Sequence, residues 1–164
     1  MITETIGRVV ESKVIQELVT VPASAMVVQA VAMMSEKGIG AVVIRNHGGP
    51  VEGILTERDL MRRVLNEGRD PRTTPTSLVM SREVRHVPSS STVEEALRLM
   101  VVHGYRHLLV EEDGKVRGLV SIRDLMSWIV LPDFAIAPEG RVGVIRARTS
   151  DAIRALRHEP QGDI

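Results

Sequence analysis

Apolar positions along the chain fall into two nearly identical successions. In the first, Val27, Ala30, Val31 and Met34 stand at i, i+3, i+4 and i+7, and Val93, Ala96, Leu97 and Met100 repeat that spacing in the second; it is the spacing of one buried helix face. Each helix follows a Val-Pro pair, Val21-Pro22 or Val87-Pro88, that ends a short strand. Each precedes a run, Ala41-Val42-Val43-Ile44 or His107-Leu108-Leu109-Val110, short and apolar enough for a buried strand. Turn residues come next, Gly48-Gly49-Pro50 or Asp113-Gly114. A second strand then ends at Leu55 or Val120, and a last helix starts at Thr56 or Ser121. The pattern predicts β-α-β-β-α, twice, in an α/β (α+β) chain.

The two copies align residue by residue. Gly53-Ile54-Leu55-Thr56-Glu57-Arg58-Asp59-Leu60-Met61 recurs as Gly118-Leu119-Val120-Ser121-Ile122-Arg123-Asp124-Leu125-Met126, at an offset of 121 − 56 = 65. Upstream of the turn the offset is 87 − 21 = 66, so the slip falls where Arg45-Asn46-His47-Gly48-Gly49-Pro50 faces the shorter Glu111-Glu112-Asp113-Gly114-Lys115. Length variation belongs in such a loop. Thr92 and Glu95 form a capping-box pattern at the second helix start, while the first has Met26 and Gln29 there. The expected organisation is a first repeat with its lead-in over 1–67, a linker and short turn over 68–80, a second repeat over 81–131, and an extension over 132–164. One copy alone has little core, so the two are expected to pack about a pseudo-twofold axis.

Composition narrows the classes. The chain has 164 residues, 43% of them hydrophobic but only 2% aromatic, so its core must be aliphatic and methionine-filled. Formal net charge is zero, which gives no global field to draw in nucleic acid or an anionic membrane. Lys13, Lys37 and Lys115 are the only lysines among the 21 basic residues. With no cysteine there is no disulfide framework, thiolate zinc site or cysteine nucleophile. The N-terminus lacks the pattern of a signal peptide, and no stretch approaches the ~20 apolar residues that span a bilayer. A soluble, cytoplasmic protein is expected.

Chemistry concentrates at the two strand-to-helix junctions. Thr56-x-x-Asp59 and Ser121-x-x-Asp124 read structurally as helix caps, a hydroxyl with an acid three residues on. Three features ask for more than a cap. Gly53 and Gly118 precede each hydroxyl where backbone can approach a ligand, Arg58 and Arg123 lie in the first helical turn, and the unit occurs twice. A helix N-terminus suits a phosphate, and a carboxylate one turn on can accept hydrogen bonds from ribose hydroxyls. A ribonucleotide fits this set better than free phosphate, with Ile39, Val21 and Val87 offering an apolar slot for adenine.

In its Val-Pro pairs, its Gly-Ile-Gly-Ala-Val-Val-Ile and Gly-Tyr-Arg-His-Leu-Leu-Val segments and its two closing Gly-x-x-Thr/Ser-x-x-Asp motifs, the chain resembles the CBS-domain family in its tandem (Bateman module) arrangement, over roughly Ile6 to Ile129. The resemblance implies binding of AMP, ADP, ATP or a related nucleotide as a regulatory ligand in clefts between the repeats, with no obligatory cofactor. Thr56, Asp59, Ser121 and Asp124 match the family's ribose- and phosphate-contacting positions. Homodimerisation through helices is implied too. The copies differ where uncharged Gly38-Ile39-Gly40-Ala41 faces Gly104-Tyr105-Arg106-His107; the family often places basic residues here near phosphates. Arg106 and His107, with Tyr105, are therefore expected to make the two sites unequal.

Other chemistries find less support. His103 and His107 stand four apart, a metal-ligand spacing if helical, but Gly104 interrupts and His107 belongs to a strand. There is no Gly-x-Ser-x-Gly nucleophile elbow and no assembly of acid, base and nucleophile, so an enzyme is not expected. Trp128 and the methionines read as core or dimer contacts. After Leu131 the repeat ends; Val142-Gly143-Val144-Ile145 reads as a strand, and Thr149-Ser150-Asp151 can cap a helix through Leu156. Two functions remain: a ligand-responsive regulator acting on an unidentified protein, and a constitutive interaction scaffold with empty clefts. Nucleic acid and membrane are not expected partners.

Overall fold

A computed structural model of the chain describes residues 4–13 and 17–130; the strand and helix expected beyond Leu131 lie outside them. The elements run α1 (Ile6–Ser12), β1 (Thr20–Val21), α2 (Val27–Lys37), β2 (Ala41–Ile44), β3 (Gly53–Thr56), α3 (Glu57–Asp59, continued π-helically through Leu60–Leu65), α4 (Thr76–Val79), β4 (His86–Pro88), α5 (Val93–His103), β5 (His107–Glu112), β6 (Lys115–Ser121) and α6 (Ile122–Val130). From β1 onward this is the β-α-β-β-α unit twice.

Each unit forms a three-stranded sheet. β1 lies parallel to β2, with Val21 opposite Ile44, and β2 antiparallel to β3, with Val43 opposite Ile54. β4, β5 and β6 repeat the arrangement, with Val87 opposite Val110 and Leu109 opposite Leu119. Helices α2 and α5 end at Gly38 and Gly104, both at positive φ, a left-handed stop that glycine adopts without Cβ strain. At the helix starts the caps differ as expected. Thr92 and Glu95 exchange bonds of 3.1 and 2.8 Å, whereas at α2 only Gln29 answers, taking the Met26 N–H at 2.8 Å.

The two sheets meet in a third core. Val43, Ile54 and Leu109 are buried there, with Leu18, Val51, Val84, Val116 and Leu119 packed around them. Each member stands with its own counterpart: Val43 with Leu109, Leu18 with Val84 (offset 66), Ile54 with Leu119, Val51 with Val116 (offset 65). A self-complementary patch of this kind is the signature of twofold symmetry, here within one chain.

The segments that lead into the copies cross over. Ile6, Val9 and Val10 of α1 are buried with Val87, Val93, Met100, Leu125 and Trp128 of the second repeat. Ile6 N–H and Gly7 N–H donate to the Ser91 and Ser89 carbonyls at 2.9 Å. A seven-residue helix is not stable alone in water; these three apolar side chains, each worth ~1.5–3 kcal/mol when buried, hold it. Conversely, α4 and the residues after it pack on the first repeat. Val79 and Met80 join its core, and Ser81 exchanges backbone bonds of 2.9 and 2.8 Å with Ile54. Gly53 and Gly118 permit both crossings. A Cβ at Gly53 would lie 2.5 Å from the Ser81 carbonyl oxygen, and one at Gly118 would lie 2.7 Å from Val10 Cγ1.

Candidate functional site

The two junctions are built alike. β3 delivers Thr56 to the start of α3, and β6 delivers Ser121 to the start of α6. Strand register sets Ala41 opposite Thr56 and His107 opposite Ser121. The Gly40 carbonyl accepts the Glu57 N–H at 3.1 Å, and the Arg106 carbonyl accepts the Ile122 N–H at 3.0 Å. The segments carrying Ile39 and Gly40, or Tyr105 and Arg106, are thereby pinned against the junction of their own copy.

Both acids are buried and close a capping box. The Thr56 N–H and hydroxyl donate to Asp59 Oδ2 at 2.9 and 2.7 Å, and the Asp59 N–H returns a bond to Thr56 Oγ1 at 3.3 Å. The Ser121 N–H donates to Asp124 Oδ2 at 2.8 Å, and the Asp124 N–H donates to Ser121 Oγ at 3.1 Å. Each carboxylate is also held by the segment crossing from the other copy. The Ser81 hydroxyl donates to Asp59 Oδ1 at 2.8 Å, whereas Lys13 Nζ donates to Asp124 Oδ2 at 3.0 Å and to the Leu119 carbonyl at 2.8 Å. Arg63 reaches from the π-helical turn to the Val79 and Met80 carbonyls at 3.2 and 2.5 Å, with its Nε 3.9 Å from Asp59 Oδ1. A carboxylate offers about four acceptor positions, of which the bonds above fill three at Asp59.

His107 links the two junctions. Burial is the main force pushing its pKa down to about 4; Arg106 and Lys13 push the same way, while Asp124 and, less strongly, Asp59 oppose. Acids from both repeats therefore lie within electrostatic reach of one imidazole, which is neutral at pH 7. Of the two charges anticipated in Tyr105-Arg106-His107, only that of Arg106 is present.

The remaining anticipated residues divide by exposure. Arg58, Arg106 and Arg123 are exposed, while Ile39 and Tyr105 are half-buried. The Tyr105 ring stacks on His103 with centroids 5.5 Å apart. Val21 and Val87 pack into the cores of their own repeats, so the apolar surface left beside the junctions is that of Ile39 and Tyr105. Gly53 and Gly118 approach the crossing segments of this same chain. Lys13 and Ser81 were missed in the sequence, because neither lies in the repeated motif and only the crossover brings them to the acids. Among the described residues no three metal-ligating side chains cluster.

The CBS domain model matches residues 8–66 and 77–131. The chain is a tandem CBS-domain protein. An uncharacterized protein of Methanopyrus kandleri is 36% identical over 112 residues, covering 68% of this chain and 57% of that protein. The chain thus spans little more than half the length of this curated relative. A solved protein with CBS domains from Burkholderia ambifaria is 36% identical with a TM-score of 0.74, covering 79% of this chain and 96% of the other. A CBS domain protein from Pyrobaculum aerophilum, solved in complex with AMP, shares the fold at a TM-score of 0.63 and 21% identity, covering 74% of this chain and 89% of that one. CBS domains are regulatory modules, and no enzyme family is indicated. No described helix is long and apolar enough to cross a membrane.

Proposed function

We propose that this CBS pair is a non-catalytic regulatory module that binds an adenine nucleotide, AMP, ADP or ATP, in the clefts between its repeats. One observation carries the reading: both junctions present a buried acid bonded to a hydroxyl at a helix start. The acid suits the ribose diol, the helix start with Arg58 or Arg123 suits the phosphate, and Ile39 or Tyr105 suits the base. The AMP complex of the Pyrobaculum aerophilum protein supports the choice of nucleotide to try first. The nucleotide would bind one arrangement of the repeats better and shift its population by its differential affinity, a change read by a partner protein. A constitutive scaffold needs the caps but gains nothing from an arginine in the first turn of both closing helices, Arg58 and Arg123. A thermal-shift screen with AMP, ADP, ATP, NAD and S-adenosylmethionine separates the two, because ligand at ~100 times its Kd adds ~2.7 kcal/mol to native stability. A scaffold responds to none of them.

Self-association through helices belongs to the same reading. Met61 and Leu65 are 58% and 76% exposed, and their counterparts Met126 and Val130 are 47% and 66% exposed. Matching apolar pairs on the last helices of both repeats suit an isologous dimer face. Light scattering should give a dimer mass for the wild type and a monomer mass for the Met61→Glu, Met126→Glu double variant.

A further inference from the structure

The two junctions share a backbone plan but differ in charge. At the first, Glu57 occupies the first helical position, its carboxylate oxygen 3.2 Å from where a Gly40 Cβ would stand, and the crossing segment presents to Asp59 a neutral hydroxyl, that of Ser81. At the second, Ile122 replaces Glu57, and the crossing segment presents an ammonium. Lys13 Nζ is fixed at 2.8 Å from the Leu119 carbonyl and 3.0 Å from Asp124 Oδ2, with its side chain 23% exposed. These bonds account for two of the three N–H donors of an ammonium. Arg106 belongs to the same junction, its carbonyl accepting the Ile122 N–H at 3.0 Å. The second junction thus lacks the acid that Glu57 adds to the first and gains the ammonium of Lys13, held on Asp124.

A lone carboxylate that holds a ribose repels the phosphate attached to that ribose. Lys13 cancels this repulsion at Asp124, whereas at Asp59 the ion-pairing cation among the described residues is Arg63, at 3.9 Å. We infer that Lys13 is a specificity-determining residue of the second cleft: it lets Asp124 hold the sugar of a phosphate-bearing nucleotide, so that this cleft selects the anionic nucleotide over the uncharged nucleoside. The inference rests on the nucleotide-binding reading and assigns the selection to a residue from outside the repeated motif, delivered by α1 from the other copy. Near a partly buried site an effective dielectric of ~20 leaves a single nearby charge worth about ten-fold or more in affinity for an anion, while a neutral ligand feels little of it.

Calorimetric titration of the full chain with AMP and with adenosine tests it. Lys13→Met keeps the aliphatic stem and removes the charge; Lys13→Arg keeps the charge. The wild type should prefer AMP, and added salt should weaken AMP alone. Lys13→Met should lower AMP affinity about ten-fold or more while leaving adenosine within about two-fold, and Lys13→Arg should restore most of the preference. A general structural role for Lys13 would lower both affinities together. An unchanged AMP-to-adenosine ratio in Lys13→Met, an equal loss of both, or a salt-independent preference in the wild type would overturn the inference while leaving nucleotide binding intact. A wild type that binds neither ligand would overturn both readings at once.

Discussion

Replacing Gly118 by alanine probes the crossover that assembles both junctions. The new Cβ would stand 2.7 Å from Val10 Cγ1 and 3.2 Å from Cγ2, against an optimal carbon–carbon separation of ~3.5–4.0 Å. Val10 cannot readily rotate away, because a helical valine is held at one χ1 value about nine times in ten. The strain must then move α1 off the second repeat, at about 1–3 kcal/mol. Val10→Ala alone removes two buried methyl groups and should cost about 1.5 kcal/mol from transfer. The same substitution also removes the obstacle, so Gly118→Ala on that background should cost less than about 0.5 kcal/mol. Urea denaturation of the four proteins, followed by circular dichroism and compared at constant m, closes the double-mutant cycle. Independent sites add to within about 0.3–0.5 kcal/mol; here the coupling should reach about 1 kcal/mol or more. Gly118 has an ordinary φ, so alanine there would on backbone grounds alone stabilise slightly. Additive costs, or a neutral Gly118→Ala, would mean that α1 does not pack against β6.

Two further outcomes follow from the charges near the second junction. Burial holds the folded His107 pKa down at about 4, against the ordinary histidine value of 6.5. The unfolded chain therefore binds the proton first, and stability should fall as pH drops from 6.5 towards 4, by at most about 3 kcal/mol at ~1.36 kcal/mol per unit. In His107→Gln this part of the slope should vanish; an unchanged melting profile between those pH values would show that the imidazole is not desolvated as described. Arg106→Glu should weaken AMP binding by more than the ~0.5 kcal/mol of an ordinary surface change, and unaltered calorimetric affinity would remove Arg106 from the site.

The parts of the molecule fixed by local pattern were legible in the chain. Helices α2 and α5 follow from their i, i+3, i+4, i+7 stripes, the strands from apolar runs between glycine and proline signals, and the caps at Thr56, Thr92 and Ser121 from the hydroxyl-x-x-acid spacing. The pseudo-twofold packing followed from the repeat itself. What could not be read was decided by contacts between distant segments. Helices α1 and α4 span seven and four residues, too few to show which surface receives them, and their exchange between the repeats leaves no local mark. That exchange changes the reading of single residues. Gly53 and Gly118 suggested a ligand's approach, but the atoms nearest a Cβ there belong to Ser81 and Val10. Val21 and Val87 suggested an adenine slot and pack into the cores. His107 suggested a cation, and its burial makes it neutral. Lys13 suggested nothing by sequence position and stands 3.0 Å from Asp124.

The twin acids are the heart of the functional reading, and calorimetric titration of AMP into the wild type and the Asp59→Asn, Asp124→Asn double variant tests them most directly. Asparagine preserves shape but replaces one acceptor oxygen by a donor and removes the charge. Saturable heat in the wild type that disappears in the double variant, with both proteins melting cooperatively, is the outcome expected. Equal binding by the two proteins would place the ligand elsewhere, and no heat from the wild type with any of the nucleotides named would leave the clefts without the role proposed.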